Sequence, residues 1–515
     1  MRNYKEKIIT LNNNKMKTTK MFLGCMGILA LAASMTACSS DNNDDPNNSN
    51  GSNNGTSVVY NWSTDGGFKA CDHILFDDNG KDDANGVVIG NGDQNFVFKG
   101  KQTIKKGTYL LKGWVYIADG AELTIEPGTI IKGDKDTKAA LIAEPGGKLI
   151  AKGTQSAPIV FTSEQAAGSR KPGDWGGIIL CGKAPNNNGV LNQQIEGGPR
   201  TKHGGTDAND NSGALEYVRI EFAGYPFQKD QEINGLTLGS VGAGTTIDHV
   251  QVSYSNDDSY EWFGGTVKCK HLIAYRGWDD DFDTDNGFAG SVTYGLSVRD
   301  SKIADASQSN GFESDNNASG STAEPYTTAT LQNMTILGPK TFDASFQNTT
   351  DYINGGGMNP GNGSSMGKFQ AAMHIRRNSR LNVLNSVFIG WPIGIILDNE
   401  KGDTQGSATK GLMKLQNNIF AGMTIAGSDF NKIYEDHLYN YKTKTTDASK
   451  PSFSSSFFML AANNNSILNW TAMTWDGIKS IIEANQKLSK TAGAFADGTD
   501  WTAGWANWDP ENTQY

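Results

Sequence analysis

The sequence predicts an all-β chain: a right-handed parallel β-helix, a solenoid of short strands, with a short helical C-terminal cap. One observation is a recurring strand-like segment, seen as "LEYVRIEFAG" from Leu215, "IDHVQVSYS" from Ile247, "CKHLIAYRG" from Cys269, "VRDSKIADA" from Val298, "LQNMTILGP" from Leu331, "VLNSVFIGW" from Val383 and "LQNNIFAGM" from Leu415. Each copy has the alternation of a half-buried strand and ends near Gly or a small polar residue. Another is the spacing: the Ile247 and Cys269 copies lie 22 residues apart, about one solenoid coil, which a hairpin sandwich does not produce. The last is the identity of Asn333, Asn385 and Asn417 at one place in three copies, as in inward Asn stacks that bond amide to amide between coils. With 61 Gly and only 14 Pro in 515 residues, the chain can turn as often as such a fold requires.

The elements follow in order. Arg2, Lys5, Lys7, Lys15, Lys17 and Lys20 precede the apolar run "MFLGCMGILALAA" and then "SMTACSS". Residues 1–37 read as an export signal, with Met16 a possible start, because the apolar run is too short to span a bilayer. Thr36 and Ala37 before Cys38 resemble the lipobox of bacterial lipoproteins, which makes Cys38 the expected lipidation site. Residues 38–57 are polar and read as a disordered tether. An N-terminal cap is expected over 58–100 and the β-helix over 101–430, with large loops near 196–213, 316–327 and 343–369. Residues 431–515 should add a last coil, an amphipathic helix over 474–487 with Ile478, Ile481 and Ile482 on one face, and Trp501, Trp505 and Trp508 covering the last coil. Beyond the signal and anchor, Cys71, Cys181 and Cys269 remain, too few for a disulfide framework.

Several phrases, among them "LTIEPGTIIKG", "GGKLIAKGTQSAPIVFTS", "DWGGIIL", "INGLTLGSVGAGTTIDHVQVSYSNDDSYEWFGGTV" and "DWTAGWANWDPENTQY", resemble a family of Bacteroidota outer-membrane surface lipoproteins with a pectate-lyase-like β-helix. The resemblance spans about residues 100–515. It implies the same fold and a lipid-anchored protein on the outer membrane facing the cell exterior, in a family whose biochemical role is unsettled.

Two acidic runs fall in matching register. Laying "SNDDSYEWFGG" from Ser255 on "RGWDDDFDTDNG" from Arg276 sets Asp257 on Asp279, Asp258 on Asp280, Tyr260 on Phe282 and Glu261 on Asp283. A third copy, "GFESDNN", adds Phe312, Glu313 and Asp315. With the aromatics inward, strand alternation turns Asp257, Glu261, Asp279, Asp281, Asp283, Asp285, Glu313 and Asp315 outward. Coils about 4.8 Å apart bring such carboxylates close enough to raise one another's pKa unless a cation intervenes. These eight are therefore the expected metal ligands, and Ca²⁺ the expected cofactor, since it accepts many hard oxygens in flexible geometry. "DFDTDNG" and "DANDNSG" (Asp207, Asn209, Asn211, Gly213) space their oxygens as calcium loops do, although Gly comes one place late and the closing Glu is missing. The plain alternative is a solvated acidic face of Asp- and Gly-rich turns.

Catalysis would draw on Asp257, Asp258, Asp279 and Asp280 as carboxylates and Arg276 as a base beside them. Trp262 and Trp278 could form a platform for sugar rings. His249 and His271 stack in register, as an outward packing ladder. The formal charge is -10, and removing residues 1–37 takes it to about -15, which argues against nucleic acid as a partner. The expected function is binding of an extracellular ligand such as a glycan, or an accessory or structural part in an outer-membrane envelope complex. The alternative is a Ca²⁺-dependent polysaccharide lyase or a glycoside hydrolase acting on acidic polysaccharide.

Overall fold

The computed structural model describes residues 63–65, 67–227, 232–353, 365–431 and 433–515. The export signal, the lipidation site Cys38 and the tether lie outside the described residues. The described chain is a parallel β-helix whose strands stack into a lateral sheet of 13 strands and a second, bent sheet of 20. Every strand of the lateral sheet after the opening Ser63–Asp65 hairpin arm pairs in parallel with the strand one coil on. Among the described residues, no helix is long and apolar enough to cross a membrane.

The coils close because certain residues bend the strand. Gly213–Glu221, Thr246–Ser253 and Lys268–Tyr275 each run through one kink, where Tyr217, His249 and His271 take a left-handed conformation at φ 50–56°. Tyr294, Asn333, Asn385, Asn417 and Asn464 do so in later coils. Asn is the non-Gly residue best suited to that conformation, because its short amide bonds locally. This corrects the expected inward Asn stack: Asn417 donates to Asn385 (3.0 Å) and Asn464 to Asn417 (2.8 Å) on the outer side of the corner. The polar bonds inside the turn come instead from Ser386 and the buried Asn418.

The core is built in columns. Phe96, Val115, Leu141, Ile178, Leu236, Tyr260, Phe282, Phe312, Met373 and Ile395 stand in register, all buried in one cluster. Burying each such side chain contributes roughly 1.5–3 kcal/mol. Cys71, Cys181 and Cys269 are free and buried.

The ends are closed differently from the sequence expectation. The short helix Phe453–Phe458 closes the last coil, with Phe458 stacked 3.9 Å above Phe420. Helix Gly477–Leu488 lies instead along the flank: Ile481 and Ala484 join Leu337, Val387, Ile389 and Ala421 in a second apolar cluster. The outward residues there are apolar and need a cover, whereas the last coil already has one in Phe453–Phe458. The Trp-rich tail runs back toward earlier coils. Gly493 bonds to Asn385, Asn507 and Gln251 bond each other both ways, and Tyr515 reaches Glu221 (2.7 Å) and Lys132 (3.0 Å). Trp501 and Trp505 lie against the His249–His271 stack, not over the last coil.

Candidate functional site

In the lateral sheet, the column facing away from the core reads Val97, Tyr116, Ile142, Ile179, Thr237, Glu261, Asp283, Glu313, His374 and Ile396. It is apolar at both ends and acidic for three consecutive rungs. A generally solvated face would carry charge along its length, so the acidity belongs to one place.

Around those rungs lies a cleft of about 590 Å³, lined by Glu196, Glu232, Asp257, Asp258, Glu261, Asp279, Asp280, Asp283, Asp305 and Glu313, with Gln308 and Arg376 among the remaining lining residues. Three overlapping carboxylate triads each bring an oxygen from every member within 4.8 Å: Asp257–Asp258–Asp279, Asp258–Glu261–Asp283 and Asp280–Asp283–Glu313. Asp258 and Asp283 belong to two triads each. The turns hold them through side chain to backbone bonds from coil to coil. Asp280 N–H donates to Asp258 Oδ1 (2.9 Å), Asn310 N–H to Asp280 Oδ1, and Ala371 N–H to Asn310 Oδ1 (3.0 Å). Asp258 and Asp280 thus fix the turns with one oxygen while lining the cleft.

Burial and mutual repulsion push these carboxyls up. Asp257, Asp258, Glu261, Asp280 and Asp283 stand well above the ordinary carboxylate range, burial being the larger cause and neighbouring acids the next. Burial and Asp305 push Asp279 up to about 8, and burial and Glu232 push Glu196 up to about 7. Glu313 goes the other way. Burial opposes its ionisation, but Arg376 and His374 outweigh burial and bring it down to about 2. Asp279 Oδ1 and Asp283 Oδ1 are buried with no hydrogen-bond partner.

The predicted ligands therefore divide. Asp257, Glu261, Asp279, Asp283 and Glu313 line the cleft, whereas Asp281, Asp285 and Asp315 do not. Asp281 points away from it and is buried in an ion pair with Arg299 (2.9 Å), which also donates to Trp278 and Asp279 carbonyls. Asp315 is neutralised by Arg376 (2.8 Å) and Arg377 (2.6 Å), and Asp285 lies beside Asp315, one coil away. The four candidate catalytic aspartates all line the cleft. Arg276 does not: it sits at a left-handed corner (φ 55°), bonded to Tyr254 (3.0 Å) and near Asp300 (3.6 Å) beside Trp475, in a separate pocket. The basic residue that reaches the cleft is Arg376.

Trp262 and Trp278 are wholly buried, so neither offers a ring face to a sugar. Trp262 falls on an inward position of its strand and stacks on Tyr260, Phe282 and Phe288. The two segments with calcium-loop spacing differ in form. "DFDTDNG" contains the strand Phe282–Asp285, which turns alternate residues to opposite sides, while Asp207 and Asn211 accept from the N–H groups of Asn209 and Gly213. His249 and His271 stack at 4.3 Å between Tyr217 and Tyr294, both Nδ1 atoms 2.8 Å from Asp248 Oδ1. The rings pack as a ladder, and their Nδ1 atoms converge on Asp248, so that the three residues each bring a ligand atom within 4.8 Å of the others. Glu196, Glu232, Asp305 and Gln308 were not anticipated: they come from loops, where no periodicity announces them.

A model of the pectate-lyase-like beta helix domain matches residues 97–506. The chain belongs to this family. That match covers the whole acidic cleft, so the pectate-lyase-like helix is the scaffold that sets its rungs. The Dettilon tailspike protein, known from a crystal structure, is similar at 14% sequence identity, over 65% of this chain and 61% of its own, with a TM-score of 0.24; this chain thus spans less than two thirds of that protein. No curated protein matches the chain.

Proposed function

We propose that this protein is a surface lipoprotein of the outer membrane, anchored through Cys38, that binds an extracellular anionic glycan through divalent cations held in the acidic cleft. The observation that carries this reading is the overlap of three carboxylate triads in one cleft, on a column that is apolar at both ends. Oxygen-only donors in irregular array suit Ca²⁺, which accepts six to eight of them. The bare cleft offers acidic sugars little but carboxyls, whereas ions seated in it leave coordination sites for their carboxylates. The lipobox-like stretch before Cys38 and the polar tether after it support display beyond the membrane, with the resemblance to Bacteroidota surface lipoproteins. The same cleft would serve an accessory subunit of an envelope complex.

The test is calorimetric titration of the full chain with Ca²⁺, followed by glycan binding with and without chelator. Micromolar Ca²⁺ binding, with acidic glycans retained only in its presence, is the expected result. No heat of Ca²⁺ binding would overturn the reading.

The lyase alternative has one observation in its favour, the position of Arg376 at the cleft. Its guanidinium is held between Glu313 and Asp315, and although burial opposes its charge, those two carboxylates raise its pKa well above the ordinary value. It stays a cation, not a base, so binding ranks first. Formation of unsaturated uronate product, followed by ultraviolet absorbance, would reverse that order.

A further inference from the structure

A second cluster lies in the first coil and has different chemistry. Cys71 ends the strand Phe68–Cys71, and the chain then turns through Asp72 and His73 toward the strand Leu75–Phe76. Cys71 Sγ lies 2.6 Å from His73 Nδ1. Asp72 Oδ1 is 4.0 Å from each of them. On the other side of the imidazole, Asp82 Oδ1 is 2.9 Å from His73 Nε2, and Asp82 is itself fixed by a backbone bridge to Phe76. Among the described residues, the other free cysteines, Cys181 and Cys269, belong to no comparable group.

We propose that Cys71, Asp72 and His73 form a site for one thiophilic divalent transition-metal ion, Zn²⁺ by its chemistry, with Asp82 as the positioning residue for the His73 ring. The donor set of one thiolate, one imidazole nitrogen and one carboxylate is the borderline-soft combination that zinc takes and calcium does not. The far side of the imidazole also fits: a metal-bound His almost always presents its other nitrogen to a carboxylate or carbonyl, which fixes tautomer and ring orientation. Here Nδ1 faces the donors and Nε2 faces Asp82. Zinc bonds of about 2.3 Å to sulfur and 2.0 Å to nitrogen set those two ligands roughly 3.5 Å apart, so the ring withdraws by about 1 Å on binding. The Asp72 side chain is about half exposed (48%), which gives the ion a path in and a water room as fourth ligand.

A nucleophilic Cys–His pair is the competing use of the same atoms. Cys71 is 1% exposed, so no substrate reaches its sulfur. The ion would instead tie the end of the strand Phe68–Cys71 to the following loop, in the first coil of the described residues. The site shares no residue with the acidic cleft and does not depend on the function proposed above.

Titration of the full chain with Co²⁺ tests it, because only a thiolate ligand gives sulfur-to-cobalt charge-transfer absorption, and oxygen-bound cobalt in the cleft is silent there. We expect that band to saturate at one ion per chain, to be displaced by Zn²⁺, to survive Cys38→Ser, and to vanish in Cys71→Ser. His73→Gln, which keeps the thiol, should also abolish it, and Asp82→Asn should weaken cobalt affinity about 10–100-fold. Circular dichroism of each variant without metal establishes that it is folded. A folded wild-type chain with no charge-transfer band, or a band that persists in Cys71→Ser or His73→Gln, overturns the proposal.

Discussion

Replacing Asp279 by Asn should change stability in opposite directions depending on whether Ca²⁺ is present. Without cation, the Asp279 carboxyl is pushed by burial and Asp305 from an ordinary value of 3.8 up to about 8. A folded-state pKa above the unfolded one gives stability that is complete below the unfolded value and is lost as pH rises through the folded value. At pH 7 the folded protein must hold a proton there that the unfolded chain releases, which costs on the order of 4 kcal/mol at 1.36 kcal/mol per pH unit. An amide at this position carries no such linkage and keeps an oxygen to accept the Ser307 hydroxyl, now 2.6 Å from Asp279 Oδ2. A chain of this size melts with roughly 2.1 cal/mol/K of entropy per residue, so 1 kcal/mol moves Tm by about 1 °C. Asp279→Asn should therefore raise Tm in chelator by about 4 °C at pH 7 and by only about 1–2 °C at pH 5. In saturating Ca²⁺ it should lower Tm, because a ligand that binds only the folded state adds stability in proportion to its affinity. Calorimetric melts at the two pH values, each with chelator and with Ca²⁺, decide the matter. Equal melting of the variant and the wild type in chelator at pH 7 would refute the buried, cation-seeking carboxylate, and a gain retained in Ca²⁺ would refute the ion.

Further contrasts separate the cleft from the structure around it. Asp283→Asn, at the junction of two triads, should reduce Ca²⁺ affinity at least about tenfold by titration calorimetry, a loss on the scale of one charge-assisted contact. Asp281→Asn should leave Ca²⁺ affinity unchanged but destabilise the fold by about 3–5 kcal/mol in denaturant melts, because it leaves the buried Arg299 unpaired. Trp278→Ala should likewise cost about 3–5 kcal/mol, and any glycan affinity per folded molecule should persist, since the ring is wholly buried. Ending the chain after Asp500 should cost several kcal/mol: Trp505, 1% exposed, alone hides about 200 Å², worth ~5 kcal/mol at 25 cal/mol per Å².

What could be read in the sequence follows from where periodicity acts. Tyr260, Phe282 and Phe312 pair in the register that the acidic runs gave, and so do Glu261, Asp283 and Glu313, because strand alternation and coil length are local properties. Alternation stops at corners. Asp281 lies just before the strand Phe282–Asp285, and counting outward from Phe282 wrongly turned it toward the cleft. Arg276 was misplaced for the same reason, by a left-handed corner that reverses its direction. Asp305 and Gln308, and the tail contacts of Tyr515, join residues far apart in the chain, and no spacing rule reaches them. Trp262 looked available because aromatic residues beside acids suit both a core and a sugar site, and only the packing against Phe288 tells them apart.

The returning tail gives the fold a dependence that solenoids otherwise lack. Coils stacked one on another are nearly autonomous, and a chain cut short would still hold most of its neighbour contacts. Here Arg170 donates once to the nearby Gln165 carbonyl (3.2 Å) and twice to the carbonyls of Pro510 and Thr513 (2.7 and 2.8 Å), so a buried guanidinium in an early coil completes its bonding only through the returning tail. Without the tail that guanidinium would lose two of its carbonyl partners and the flank its cover. The stability of the early coils is thereby coupled to a stretch some 340 residues away in sequence.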